Sequence, residues 1–451
     1  MRVAVLGGGI AGLAAAWELR GEADITVFEP GRLGGVIRTS AFDGYPVDEG
    51  PDAFLTRVPD AVELCQELGI ADEMVAPAAG RSMLWWNRRL RPLPEGLVLG
   101  VPRQLGSLLG GGILSPAGIA RAGLDLVLPR RRPPASLTVR QLVADRFGPQ
   151  VADRLVDPLV GGIHAGWTGE LGAIEVMPQL VAAAERSRSL LLGLRRLPAP
   201  ANTPMFLTPR GGVGRMVEVL VQTLGEAGVD FVAELVDSVR AAETGRVRVT
   251  PDPEPFDAAV VATPARIAAG LLGSEGTASL VDLPTASVAL VTATLPGTPL
   301  PPGINGFLVP RSEGRLMTAC SFASNKWPHW TESGGSLVRM SAGRHGDEGA
   351  LDLDDAGLVD RLVAELGAAL GLSLAPSTTR VSRWPCAFPQ YTPGHSARMG
   401  AVEASLRQRL PSVTLAGASY RGSGIPACIS SGRRAARSAF DQARATTTQY
   451  R

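Results

Sequence analysis

The chain has 451 residues, 45% hydrophobic and 19% charged, which suits two or three domains with buried cores and excludes both a small module and a disordered chain. Its 44 basic and 43 acidic residues nearly cancel to a net +1, so no overall field draws it onto a polyanion, and no nucleic-acid partner is expected. The four cysteines (Cys65, Cys320, Cys386, Cys428) and four histidines are scattered, with no CxxC or HExxH spacing, so no metal site and no redox dithiol is expected.

The opening MRVAVLGGG runs straight into a strand and lacks the layout of a signal peptide, which predicts a cytoplasmic protein. The first thirty residues predict strand, helix, strand at Arg2–Leu6, Ile10–Arg20 and Ile25–Glu29. GxGxxG stands at the first turn, in Gly7-Gly8-Gly9-Ile10-Ala11-Gly12, and Glu29 follows Gly9 by 20 residues. Gly7 permits the tight turn, Gly9 lets a pyrophosphate approach the backbone, Gly12 lets helix and strand pack closely, and Glu29 accepts from a ribose hydroxyl. The helix N-terminus adds amide donors for the phosphates. These residues predict a dinucleotide site without separating FAD from NAD. In the next stretch Gly34 and Gly35 let the chain wrap back under the dinucleotide, and Arg38 is placed to pair with a phosphate or carboxylate.

A helix is predicted over residues 58–69, opening after Pro59 and stopping at Gly69, and a β-hairpin in WWNRRLRPLP from Trp85 opens a different domain. Residues 96–199 read as mostly helical, broken by a solvated turn at Arg130–Pro134. Within them Gln104–Ala120 is uncharged for 17 residues but interrupted by glycines and a proline. It is too short and broken to predict a membrane span, and is suited at most to a peripheral membrane contact. Strand-like composition returns at 228–237, and Ala258–Ala262 reads as a buried parallel strand ending in Thr263-Pro264. An antiparallel sheet is expected between 283 and 345, then an amphipathic helix over Asp352–Leu370, a strand at Val413–Ala416 and a terminal helix over Ala427–Arg444. The chain contains a single lysine, Lys326.

The run Glu29-Pro30-Gly31-Arg32-Leu33-Gly34-Gly35-Val36-Ile37-Arg38-Thr39 resembles the second signature of the flavin amine oxidase and porphyrinogen oxidase superfamily. Gly44–Phe54 resembles its flavin-contacting segment, and Leu415–Ile429 resembles the motif whose helix start lies beside the flavin pyrimidine. Asp157–Gly166 and Trp384-Pro385-Cys386-Ala387-Phe388-Pro389-Gln390-Tyr391-Thr392-Pro393-Gly394-His395 are similar to segments of the protoporphyrinogen and coproporphyrinogen oxidase family. Together the matching segments run from residue 2 to about 436. One departure is Ala427, which stands before Cys428 where relatives usually carry an acidic residue.

The resemblance implies a mixed α/β fold with three parts. A Rossmann-like FAD-binding domain would use 1–80, 200–265 and 385–451, a mixed-sheet substrate domain 81–95 and 266–384, and a helical domain 96–199. It implies FAD held by Gly7, Gly9, Ile10, Ala11, Gly12, Glu29, Pro30, Arg32, Gly34, Gly35, Val36, Arg38, Gly50, Pro51, Asp52, Ala53, Thr263, Gly417, Ile425, Ala427 and Cys428. Arg57, His164, Ala165 and Gly166 would line the substrate site. No side chain is assigned as nucleophile, acid or base. The implied chemistry is hydride transfer from a meso carbon to flavin N5, loss of a pyrrole proton, and reoxidation by dioxygen to hydrogen peroxide, three times over. Coproporphyrinogen III is the favoured substrate and protoporphyrinogen IX the alternative, with amine oxidation or polyene desaturation more distant. A transient ferrochelatase partner is also implied.

Overall fold

Five short strands pair in parallel in the order Asp230–Val232, Asp24–Phe28, Arg2–Leu6, Ala258–Val261 and Val413–Leu415. The computed structural model to which they belong describes residues 1–130, 132–196, 204–273, 275–330 and 335–449. The central strands, Ala258–Val261 and Arg2–Leu6 after its first residue, read as unbroken apolar runs because both faces of the sheet are covered there. Val3 and Val5 enter one core, with Ile10–Leu19 and the terminal helix Ile425–Gln449, while Ala4 and Leu6 enter a second core on the opposite face. Nine of the ten residues of Ile10–Leu19 are buried. A Cβ at Gly432 would lie 2.0 Å from the Ala11 carbonyl oxygen, so glycine sets how closely these two helices pack.

A seven-stranded mixed sheet forms the second layer, in the order Thr378–Pro389, Thr285–Pro296, Gly335–Ala342, Met317–Phe322, Ile304–Leu308, Arg81–Trp86 and Arg89–Pro92. Only Ile304–Leu308 and Arg81–Trp86 run parallel; the other neighbours are antiparallel, and the last pair is the hairpin expected from Trp85. One face packs its apolar side chains against Asp355–Leu370. That helix begins at Asp355 rather than Asp352 because the Asp354 carboxylate accepts from Gly357 N–H at 2.8 Å and caps it.

A further core is largely helical, built from residues between 101 and 194 together with Leu84. Thr138 and Gln141 form a reciprocal cap at the start of Val139–Phe147. Ala152–Gly161 is a ten-residue π-helix with Pro158 inside it. Proline cannot continue an α-helical ladder, and the wider turn accommodates it.

Four expectations need adjustment. The strand predicted at 228–237 is reduced to Asp230–Val232, because its neighbour Asp24–Phe28 ends there; Ser238–Ala241 instead pairs with Val247–Thr250. The segment from residue 96 opens with two paired strands, Leu97–Val98 and Val101–Pro102, before any helix. The terminal helix starts at Ile425, two residues early. Thr378–Pro389 runs through residue 385, so the segment border expected there falls inside a strand, while the border at 199/200 and Arg131 of the expected turn lie outside the described residues. Among the described residues no helix is long and apolar enough to cross a membrane.

Candidate functional site

At the carboxyl end of Arg2–Leu6 the chain turns through Gly7, whose φ of +104° suits glycine, into the helix that starts at Ile10. A Cβ at Gly12 would lie 1.9 Å from the Gly7 carbonyl oxygen, so glycine is required for helix and strand to pack this closely. At Gly9 a Cβ would meet nothing within 4 Å. No side chain caps this helix start, which leaves its first amides to an anion from outside. The cradle therefore has the open space and unused donors that a pyrophosphate needs, and the residues present fit a dinucleotide.

The second glycine segment folds directly over the first. Gly34 N–H donates to the Gly8 carbonyl at 2.8 Å, and a Cβ at Gly35 would lie 3.4 Å from Gly9 Cα. Glu29 ends beside this turn, its carboxylate accepting from Gly8 N–H at 2.8 Å and Gly31 N–H at 3.0 Å. Thr263 joins from the fourth strand: its methyl would lie 3.3 Å from a Cβ at Gly7, and its buried Oγ1 has no hydrogen-bond partner. Gly417 closes the far side, where its Cβ would be 3.6 Å from that of Ala11. Ile10 and Ala11 are buried within the first helix, and Ile425, Ala427 and Cys428 form the first turn of the terminal helix that packs on it. Burial pushes the Cys428 thiol up to about 12, so it stays neutral.

The segment after the Thr39–Phe42/Tyr45–Asp48 hairpin is pressed onto this cradle: a Cβ at Gly50 would lie 2.3 Å from the Val36 carbonyl oxygen. Pro51, Asp52 and Ala53 follow it, half-buried. The Asp52 side chain points to the seven-stranded sheet and pairs with Lys326 at 2.9 Å and Arg339 at 3.2 Å. Arg38 is exposed and pairs with Glu49 at 3.0 Å, while Pro30, Arg32 and Val36 lie exposed along the rim.

His164, Ala165 and Gly166 leave the π-helix and reach the same region from the helical side. His164 Nδ1 is 3.5 Å from Ser423 Oγ, just before the terminal helix, and burial lowers its imidazole to about 4, so it is neutral near pH 7. Ala165 adopts a left-handed φ of +46°, and its carbonyl accepts from His345 N–H at 2.7 Å. A Cβ at Gly166 would strike Gln390, whose amide donates to the His164 carbonyl at 2.9 Å. Arg57 lies apart from these residues, exposed, with its guanidinium 3.4 Å from Gln179 Oε1 of the helical lobe.

The Tyr391–His395 segment braces the entry to the terminal helix. The two rings stack at 4.3 Å, the Tyr391 hydroxyl donates to the Ala418 carbonyl and accepts from Gly422 N–H at 2.9 Å, and His395 Nε2 lies 3.2 Å from the Tyr420 carbonyl. The sheet supplies the remaining wall. Arg380, Thr292, Arg339 and Ser321 are register neighbours on the face opposite Asp355–Leu370. Arg380 and Arg339 reach the hairpin and Gly50, while Leu84 and Leu308 pack against the helical core. Between these anchorages stand the small, half-buried side chains of Ala319 and Ser341. Sequence reasoning missed Arg339, Arg380 and the role of Lys326; only the solitary lysine was a visible signal.

A family model, flavin containing amine oxidoreductase, matches residues 10–439. Coproporphyrinogen III oxidase of Bacillus subtilis is 31% identical and that of Mycobacterium leprae 35%, each alignment covering 96% of both chains. Protoporphyrinogen oxidase of Bos taurus is 32% identical over 96% of this chain and 97% of its own. A crystal structure from Exiguobacterium sp. 255-15 superposes with a TM-score of 0.89 at 27% identity, covering 98% of this chain and 99% of that one. Reduced UDP-galactopyranose mutase, at 0.73 and 15% identity over 98% and 94%, shares the fold alone. With the family model and these matches running almost end to end, the chain belongs to the flavin-containing amine oxidoreductase family.

Proposed function

We propose that the chain is an FAD-dependent coproporphyrinogen III oxidase of haem biosynthesis. The observation that carries this reading is the full-length likeness to proteins of that name at 29–35% identity. Six electrons would leave the substrate as three pairs, and three dioxygen molecules would take them up as three hydrogen peroxides. FAD, when bound, supplies the hydride acceptor for each pair.

The chain's part is to bind, orient and exclude water. The amides at Gly9 to Gly12 would hold the pyrophosphate and Glu29 the ribose. The start of the terminal helix would present its positive end to the pyrimidine. His164, neutral and half-buried, would line the substrate site rather than move a proton, with Ala165 and Gly166 beside it. Arg57 would receive a propionate, since a guanidinium binds a carboxylate bidentately. The three-part domain division, a cytoplasmic location, product transfer to a ferrochelatase and a peripheral membrane contact at Gln104–Ala120 belong to the same proposal.

A second reading, protoporphyrinogen IX oxidation, is favoured by the likeness to the Bos taurus enzyme. Purified protein given each porphyrinogen in air decides between them. Faster appearance of porphyrin fluorescence from coproporphyrinogen III supports the first reading, and preference for protoporphyrinogen IX supports the second.

A further inference from the structure

The Gly50–Asp52 segment is held from outside its own lobe. Arg339, on the substrate sheet and 7% exposed, donates to the Gly50 carbonyl at 2.5 Å and reaches Asp52 with its other terminal nitrogen at 3.2 Å. Lys326 Nζ lies 2.9 and 3.1 Å from the two Asp52 oxygens, and Trp327 Nε1 lies 3.3 Å from one of them. Upstream, Trp384 Nε1 donates to the Glu49 carbonyl at 2.8 Å and Arg380 to the Val47 carbonyl at 3.1 Å. In each of these bonds the donor comes from the sheet lobe and the acceptor from residues 47–52. Burial alone would raise the Asp52 carboxyl, but the charges of Lys326 and Arg339 outweigh it and hold the group well below the usual carboxylate range. Asp52 is therefore held in its ionised form.

We propose that Asp52 is a positioning residue: Lys326 and Arg339, by holding its carboxylate, fix the Gly50–Asp52 segment in one register between the flavin ring and the substrate sheet. The inference rests on the flavin reading above. Gly50 is pressed against the Val36 carbonyl at one end, so the ion pairs at Asp52 set the position of the other. Releasing them lets the backbone beside the ring shift, and a displacement of about 1 Å at a reacting centre can slow turnover roughly a hundredfold. The lysine is solitary in a chain that otherwise uses arginine, and it sits where one compact ammonium reaches both oxygens of one carboxylate.

The test compares the flavin-loaded wild type with Asp52→Asn, Lys326→Met and Lys326→Arg, reading visible spectrum, flavin midpoint potential, kcat and KM. Asp52→Asn and Lys326→Met are expected to retain flavin, shift its band and potential, and lower kcat roughly ten-fold or more with KM changed by less than about three-fold. Lys326→Arg, which keeps the charge, should recover most of both. Wild-type spectrum, potential and kcat in the first two variants would overturn the proposal, whatever their melting temperatures, and so would Lys326→Arg as impaired as Lys326→Met. Should Asp52→Asn not fold, Asp52→Glu takes its place, with the same readouts and the same expected and contrary results. A wild type that binds no flavin would instead overturn the function proposed above.

Discussion

Asp48 shows how one side chain beside the cradle links stability to pH. Its carboxylate is fully buried, accepts from Thr39 Oγ1 and from Val213 N–H at 2.9 Å, and leaves Oδ2 with no partner. Burial pushes the carboxyl up to about 6, against the opposing effects of the Thr39 bond and the Arg339 charge. A folded-state pKa above the unfolded one gives stability that is complete below the unfolded value and is lost as pH rises through the folded value. The wild type should therefore lose stability between about pH 4 and 7 from this group, by at most roughly 3 kcal/mol for a shift of about two units. Asp48→Asn removes that loss, so its melting temperature relative to wild type should climb with pH across this window; a constant difference from pH 4 to 8 would contradict the assignment. None of this was legible in the sequence, where Asp48 is one acidic residue among 43. The same holds for Lys326 and Arg339, which meet residues 274 and 289 positions away in the chain, so that no local pattern encodes the pairing.

At the scale of the element, the strand, turn and helix at the N-terminus were fully legible, because spacing within twelve residues determines which glycines face backbone and which face open space. The structure separates those two roles. Gly9 has an ordinary extended backbone, φ −70° and ψ 173°, with room for a side chain, whereas Gly12 has none. Gly9→Val should therefore yield a folded protein of near-normal melting temperature that purifies without yellow colour, its side chain filling the pyrophosphate's path. Gly12→Val should be destabilised by several kcal/mol through overpacking. A yellow Gly9→Val protein would contradict the cradle assignment. The π-helix at Ala152–Gly161 was not legible: its apolar spacing suits an ordinary helix, and Pro158 suggests only a break. Its effect is positional, since the segment emerges with His164 near Ser423 and with Ala165 bonded to His345 of the sheet lobe.

Across the whole molecule, separate hydrophobic cores underlie the two faces of the parallel sheet, the seven-stranded sheet and the helical lobe. One face of the seven-stranded sheet is joined at one end to residues 40–52 and packed at the other against the helical lobe, leaving small side chains between. Hydrophobic periodicity marked strands and helices, but it carries no record of how they dock, because docking here runs through side-chain donors onto backbone carbonyls. The family resemblance named the family, and the family match and relatives agree with it. If a flavin held in this cradle removes electron pairs from a porphyrinogen, an anaerobic titration will show it. Coproporphyrinogen III added without oxygen should bleach the yellow protein with three flavins reduced for each coproporphyrin formed, and air should restore the colour. A flavin that stays oxidised in the presence of excess porphyrinogen would contradict that chemistry.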